Sequence, residues 1–281
     1  MANVIDAIIN LVKDPKLELL KYSKSHNRAN SMGEGLEEYV KDLFAGTVNE
    51  KDKDIRNLRF SETFSYEGNQ NNPPDAMLKG GDAIEMKKLE SKDAGLALNS
   101  SYPKAKIDRD SPMISKSCKI CEDWTVKDMI YAVGVVKGDN LKSLAFIYGS
   151  EYCAEKETYE KIKNKIKDGV ESIPGVEFAG TKELGRVNRV DPLGITYLRI
   201  RGMWGIENPF KVFDYVYVRD EQKKFNFVAI INSEKYLSFD NHTTLEGMLV
   251  QYSSLNIKDG KVKNPNNPAQ LIDVKVISFS V

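Results

Sequence analysis

Asp75 stands ten positions before Glu85, and Lys87 lies two positions beyond Glu85. Two carboxylates offer oxygen ligands to a hard divalent cation such as Mg²⁺. A bound cation of that kind acidifies water and offsets charge developing on a phosphate. A lysine ammonium beside them can orient the attacking water or help deprotonate it. Residues of these types, if brought together, serve hydrolysis of a phosphodiester. The stretch between them can do so. Gly80-Gly81 is a turn signal, and Ala83 to Lys87 alternates like a strand. On such a strand Glu85 and Lys87 share one face while Ile84 and Met86 share the other. Asp75, just before the turn, returns beside them. A charged hairpin on a solvated surface would use the same residue types, so the spacing is weighed with the rest of the chain.

The elements that must hold this group follow from periodicity. Val4, Ile5, Ile8, Leu11 and Val12 recur at helical spacing ahead of Pro15. A second short helical pattern covers Leu17, Leu20 and Tyr22. Leu36, Val40, Leu43 and Phe44 form an apolar stripe, which predicts a helix packed on a core. Glu37 borders that stripe. It is either a favourable charge at a helix start or a third acid reaching the metal site directly or through water, and it is preferred to Glu38 for that role. Asn49 to Asp54 is a charged loop, and Phe60, Phe64 and Tyr66 suggest a strand. Asp128–Val136 and Leu144–Tyr148 are near-continuous apolar runs, as buried central strands require, with a turn between them.

Glu155 to Val170 reads as a helix with Tyr159, Ile162, Ile166 and Val170 on one face and its lysines in water. Val212–Val218 and Phe225–Ile231 read as strands, and Thr244–Tyr252 as a short helix. Lys258–Gln270 reads as a loop with two Asn-Pro pairs, before a last strand from Leu271 to Val281. No long linker or internal repeat interrupts this order. A single α/β domain over residues 1–281 is expected, with a central mixed β-sheet flanked by helices.

The charge is balanced at 41 basic and 41 acidic residues. This excludes a histone-like binder but leaves room for a local basic face. Candidates for such a face are Lys24 and Arg28 in the polar stretch 23–30. Others are Asn99, Ser100, Lys104 and Lys106 in the amide-rich, basic segment that follows the alternating strand, since Asn and Lys pair with base edges or phosphates. Arg199 and Arg201 share a strand face and have the donors for guanine O6 and N7. The alternatives are a surface loop, a turn-rich connection and a salt-bridged strand, respectively. Three cysteines, Cys118, Cys121 and Cys153, point to a reducing compartment. One Cys-x-x-Cys pair falls short of a four-ligand zinc site. Gly180 to Gly185 mimics a phosphate-binding loop, but Arg186 replaces the required Lys and no Ser or Thr follows. The two histidines, His26 and His242, lie far apart in polar stretches, which disfavours histidine-dependent hydrolysis. The apolar start of the chain contains Asp6 and Asn10 and reads as an amphipathic helix, and no run is long enough to span a bilayer.

Several pieces in order along the chain carry a resemblance. They are Asn27–Asn30, Gly35–Phe44, Gly68–Asp75, Gly81–Lys88, Leu98–Pro103 and Arg201–Trp204. Together with the Pro-Asp and Glu-x-Lys spacing, they resemble the NgoPII-like type II restriction endonucleases of the PD-(D/E)xK superfamily. The resemblance spans residues 27 to about 210 and fades after about 235. It implies a restriction-endonuclease-like fold and a bacterial cytoplasmic enzyme. It also implies Mg²⁺-dependent cleavage of double-stranded DNA at a short palindrome, with GGCC as the family's site, by a homodimer. Asp75 and Glu85 carry over as metal ligands with the Met86 carbonyl, and Lys87 as the residue that handles the water. Glu37 carries over as the holder of a metal-bound water or a second ion. Two other readings stay open. One is a repair or structure-specific nuclease of the same fold that ignores sequence. The other is a non-catalytic DNA-binding protein with a relic nuclease core, against which the intact Asp75, Glu85 and Lys87 set weighs.

Overall fold

The computed structural model describes residues 1–19, 32–68, 72–98 and 101–281. Lys24, Arg28, Asn99 and Ser100 lie outside the described residues, as do Leu20 and Tyr22 of the second helical pattern. The chain opens with helices α1 (Val4–Lys13), α2 (Met32–Ala45) and α3 (Lys53–Thr63). Strands β1 (Phe64–Tyr66), β2 (Ala76–Leu78), β3 (Ala83–Leu89), β4 (Leu96–Ala97) and β5 (Lys106–Asp108) follow. The long strands β6 (Val126–Lys137) and β7 (Asn140–Tyr148) come next. Helix α4 (Lys156–Glu171) leads into β8 (Glu177–Phe178), β9 (Gly185–Asn188), β10 (Leu198–Ile200) and β11 (Gly205–Ile206). Strands β12 (Asn226–Asn232), β13 (Leu255–Asn264) and β14 (Asn267–Ser280) end the chain.

The central sheet runs β1-β2-β3-β6-β7-β12-β14-β13, with β5 also paired to β6. It is mixed: β3 pairs parallel to β6 and β12 parallel to β7, while the other neighbours are antiparallel. One face packs on α1 and α2 through Ile5, Ile8, Leu36, Val40, Ile84, Met86 and Phe146. The other face is covered through Met77, Leu89, Tyr131, Val133, Tyr152 and Phe210. A sheet buried on both faces explains why β6 and β7 read as unbroken apolar runs. This is the helix-flanked mixed sheet expected from the resemblance.

The helices have local causes. Asn3 caps α1 with its side chain on Ile5 N–H at 2.8 Å, and Asp6 returns to the Asn3 N–H at 2.9 Å, a capping box. Asp52 caps α3 on the N–H groups of Asp54 and Ile55, so the charged stretch expected as a loop becomes helix at Lys53. Phe60 therefore lies in α3 and only Phe64 to Tyr66 form strand. In α2, Arg56 of α3 ion-pairs with Asp42 and Glu38. Asp42 is fully buried, and Thr47 also donates to it.

Two other expectations fail for identifiable reasons. Val212 to Val218 is not a strand. Pro209 opens a short helical turn to Val212, capped by Asn208 on the Phe210 N–H at 3.0 Å, and turns follow it. Lys258 to Gln270 is not a loop. It is a hairpin in which Asn264 faces Asn267, so the Asn-Pro pairs mark only its tip. Charged cross-strand pairs, Lys261 with Asp273 and Lys275 with Asp259, both at 2.7 Å, replace the apolar alternation that signals a strand. Helix α4 forms as expected, but it contributes no buried residue, and Ile162 and Ile166 remain substantially exposed.

Candidate active site

Strand β2 sets the site by beginning only at Ala76, which stands opposite Ile84 as its first pair with β3. From Glu85 to Leu89 that edge of β3 pairs with no strand among the described residues. Asp75 sits just before β2 begins, with its own N–H on the Ile84 carbonyl at 3.0 Å. Its carboxylate takes over where the ladder stops and accepts the Met86 N–H at 2.6 Å. Gly68 permits this placement. Its φ is +83°, and a Cβ there would lie 2.8 Å from the Asp75 carbonyl carbon.

Alternation along β3 places Ile84 and Met86 in the core that faces α1 and α2, and Glu85 and Lys87 on the opposite face. Lys87 Nζ lies 2.7 Å from Glu85 Oε1. The other oxygen, Glu85 Oε2, is buried with no hydrogen-bond partner among the described residues. Asp75, Glu85 and Lys87 are thus brought together as the spacing requires.

Glu37, on α2, is half-buried and close enough to act electrostatically on both Asp75 and Lys87. Its neighbour Glu38 turns away to pair with Arg56. Burial raises the pKa of Glu37, with Lys41 and Lys87 opposing the shift. Asp75 is pushed up to about 7, first by burial and then by the charge of Glu85, against the pull of Lys87 and the Met86 N–H. Burial works against the charge of Lys87, but Glu85, Asp75 and Glu37 outweigh it and its pKa is raised. A lysine held in its charged form orients water rather than taking a proton from it.

The donor set fits a hard divalent cation. Two carboxylates contribute only oxygen ligands, and one buried oxygen lacks any partner. No cluster of three or more His, Cys, Asp or Glu side chains able to hold a metal ion occurs among the described residues. Glu37 is therefore not gathered with Asp75 and Glu85 into one ligand set, and the remaining ligands would have to come from main chain, water or substrate.

The other candidate contacts scatter. Lys104 is 6 % exposed, and its ammonium bonds Ser101 Oγ and, at 3.2 Å, the Tyr102 carbonyl. Lys106 is exposed and 3.6 Å from Asp128. Arg199 and Arg201 both bind Glu183, at 2.5 and 2.9 Å, on the exposed sheet β8–β9–β10. The salt-bridged strand therefore describes them as they stand. Two segments that carried the resemblance meet in space: Leu98 N–H donates to the Trp204 carbonyl at 2.8 Å, and β4 pairs with β11. Tyr102, Tyr159 and Trp204 pack there as an aromatic group. Tyr131 is a neighbour of the site that sequence reasoning did not single out. It sits inside an apolar run, and only the parallel register opposite Glu85 reveals it. Cys118, Cys121 and Cys153 are free thiols.

The NgoPII restriction endonuclease family matches residues 2–263, so the likeness runs well past residue 235. The type II restriction enzyme NgoPII of Neisseria gonorrhoeae is 58% identical over 278 residues, covering 99% of this chain and 99% of that protein. No solved structure matches the chain. Family and fold agree: this chain belongs to the NgoPII restriction endonuclease family and is a type II restriction enzyme, a site-specific deoxyribonuclease.

Proposed function

We propose that this enzyme hydrolyses both strands of duplex DNA at a short palindrome, with Mg²⁺ as cofactor, as a homodimer whose subunits each act as one domain over residues 1–281. The observation that carries the reading is the convergence of Asp75, Glu85 and Lys87 on the unpaired edge of β3, with Glu85 Oε2 left without a partner. Asp75, Glu85 and the Met86 carbonyl would hold the ion. When bound, the ion supplies a more acidic water and offsets charge on the phosphate. Lys87, kept positive by its carboxylate neighbours, orients the nucleophilic water toward the phosphorus. Glu37 fixes a further water at the mouth of the site.

A two-fold dimer would present one such site to each half of a palindrome. GGCC is the target that the family resemblance suggests. Lys24, Arg28, Asn99, Ser100, Lys106, Arg199 and Arg201 are the proposed DNA contacts. The bacterial cytoplasm is the proposed compartment, and three free thiols suit it. No described helix is long and apolar enough to cross a membrane.

The test is digestion of phage DNA with Mg²⁺ and with EDTA, followed by sequencing of the fragment ends. Discrete fragments that share a terminal sequence, and appear only with Mg²⁺, are expected. Fragments with unrelated ends would instead favour a nuclease that ignores sequence, and intact DNA in both arms would overturn the reading.

A further inference from the structure

The active site proposed above has an uneven charge balance. Fully ionised, the three carboxylates of Glu37, Asp75 and Glu85 outnumber the cations acting on them among the described residues, Lys87 on all three and Lys41 on Glu37, yet the substrate that must approach them is itself an anion. A further cation, Lys104, is close enough to Glu85 to be influenced by its charge. Tyr131 pairs with Glu85 across the β3–β6 ladder, so the two side chains stand side by side on one face. The Tyr131 hydroxyl accepts the Lys104 N–H at 2.7 Å and donates to the Lys104 carbonyl at 3.2 Å. Both main-chain groups of Lys104 are thereby tied next to the catalytic strand.

Gly149 admits the same segment, because a Cβ there would come within 2.9 Å of the Ala105 Cα. The Lys104 ammonium is buried over the Tyr102 ring at 4.9 Å and bonds only neutral oxygens. No carboxylate lies within ion-pair distance of it among the described residues. Lys127, buried to the same degree, is by contrast paired with Glu122 at 2.5 Å. Burial lowers the pKa of Lys104 to about 8, and the charge of Glu85 is the largest influence opposing that shift. A buried ammonium without a countercharge is poorly compensated, and an arriving phosphodiester supplies the missing anion.

We propose that Lys104 is a positioning residue of the cleavage reaction, a further cation that Tyr131 holds beside Glu85 to draw the phosphodiester onto the β3 edge. This inference rests on the active-site reading given above. It assigns the residue a part in placing substrate at the reacting centre, distinct from the groove contacts proposed for Lys106 and the arginines.

The test compares Lys104→Met, Lys104→Arg and Tyr131→Phe with the unaltered enzyme and with Lys87→Ala. Single-turnover cleavage of a duplex carrying the target is measured at saturating enzyme. Duplex binding in EDTA and the thermal midpoint are measured alongside. Lys104→Met should cut at least about tenfold more slowly while binding in EDTA changes by less than about threefold. Lys104→Arg should regain most of the rate, and Tyr131→Phe should lose rate in the same direction. Cleavage by Lys104→Met within about twofold of the unaltered enzyme would overturn the inference. So would a loss that Lys104→Arg does not restore, which marks a packing role. If Lys87→Ala still cuts at full rate, the active-site reading itself fails, and the two failures are told apart.

Discussion

Lys87 Nζ lies 2.7 Å from Oε1 of Glu85, while Oε2 of the same carboxylate is buried with no hydrogen-bond partner among the described residues. One glutamate thus spends one oxygen on holding a cationic side chain and keeps the other in reserve. The predictions below follow from this division and from what supports it.

Lys87→Ala should reduce cleavage by about 10²-fold or more, because the attacking water loses the group that positions it. Specific binding of the target should survive. A gel-shift assay beside a cleavage time course checks both, and cleavage at the unaltered rate would remove Lys87 from the mechanism.

The metal-free protein should lose stability as pH rises from about 4 toward 7, because Asp75 is pushed up to about 7 from an ordinary carboxylate value of 3.8. Between those two values the folded state holds a proton that the unfolded state has released, so raising pH favours unfolding. Asp75→Asn should reduce this slope, to which the raised pKa values of Glu37 and Glu151 also contribute, and raise the melting temperature in EDTA at pH 8, by about 2–4 °C for each kcal/mol recovered. A lower melting temperature for the variant at pH 8 would contradict the assignment.

Gly68→Ala should destabilise the fold by about 1–3 kcal/mol, the cost of holding an alanine at positive φ. Because the new Cβ meets the Asp75 backbone, cleavage should fall further than stability alone explains. Denaturant titration with a kcat measurement below the transition separates the two effects.

Arg56→Met should cost about 3–5 kcal/mol, because it removes an ion pair from the fully buried Asp42. This variant serves as a structural control. It lies on the Glu38 side of α2, away from Glu37, so whatever folded protein remains should retain binding and cleavage. A melting temperature equal to that of the unaltered protein would show that the Arg56 network does not support the fold.

Removing Arg199 and Arg201 together, as alanines, should flatten the dependence of log K on log salt by about 2 if both meet phosphate once DNA draws them from Glu183. Fluorescence anisotropy over a salt series reads this directly. An unchanged slope would leave the pair as a surface ion-pair cluster.

What the sequence determined by itself was local. Residues two apart on a strand share a face, so Glu85 and Lys87 could be placed on one face and Ile84 and Met86 on the other from the sequence. Unbroken apolar runs marked β6 and β7 because both faces of that sheet are covered. Most of β13 and the start of β14 were read as a loop because their pairs are charged, while β14 from Leu271 was legible as a strand. Tertiary structure alone decided the rest. It began β2 only at Ala76, and so left the edge of β3 open for Asp75 to reach. It turned Glu38 to Arg56 while Glu37 stayed near the site, gave Glu183 both arginines, and set Tyr131 between Glu85 and Lys104. Periodicity and turn chemistry act over a few residues and are written in neighbouring letters. The partner of a buried charge depends on which distant strands the sheet order sets side by side, and no short window of sequence contains that order.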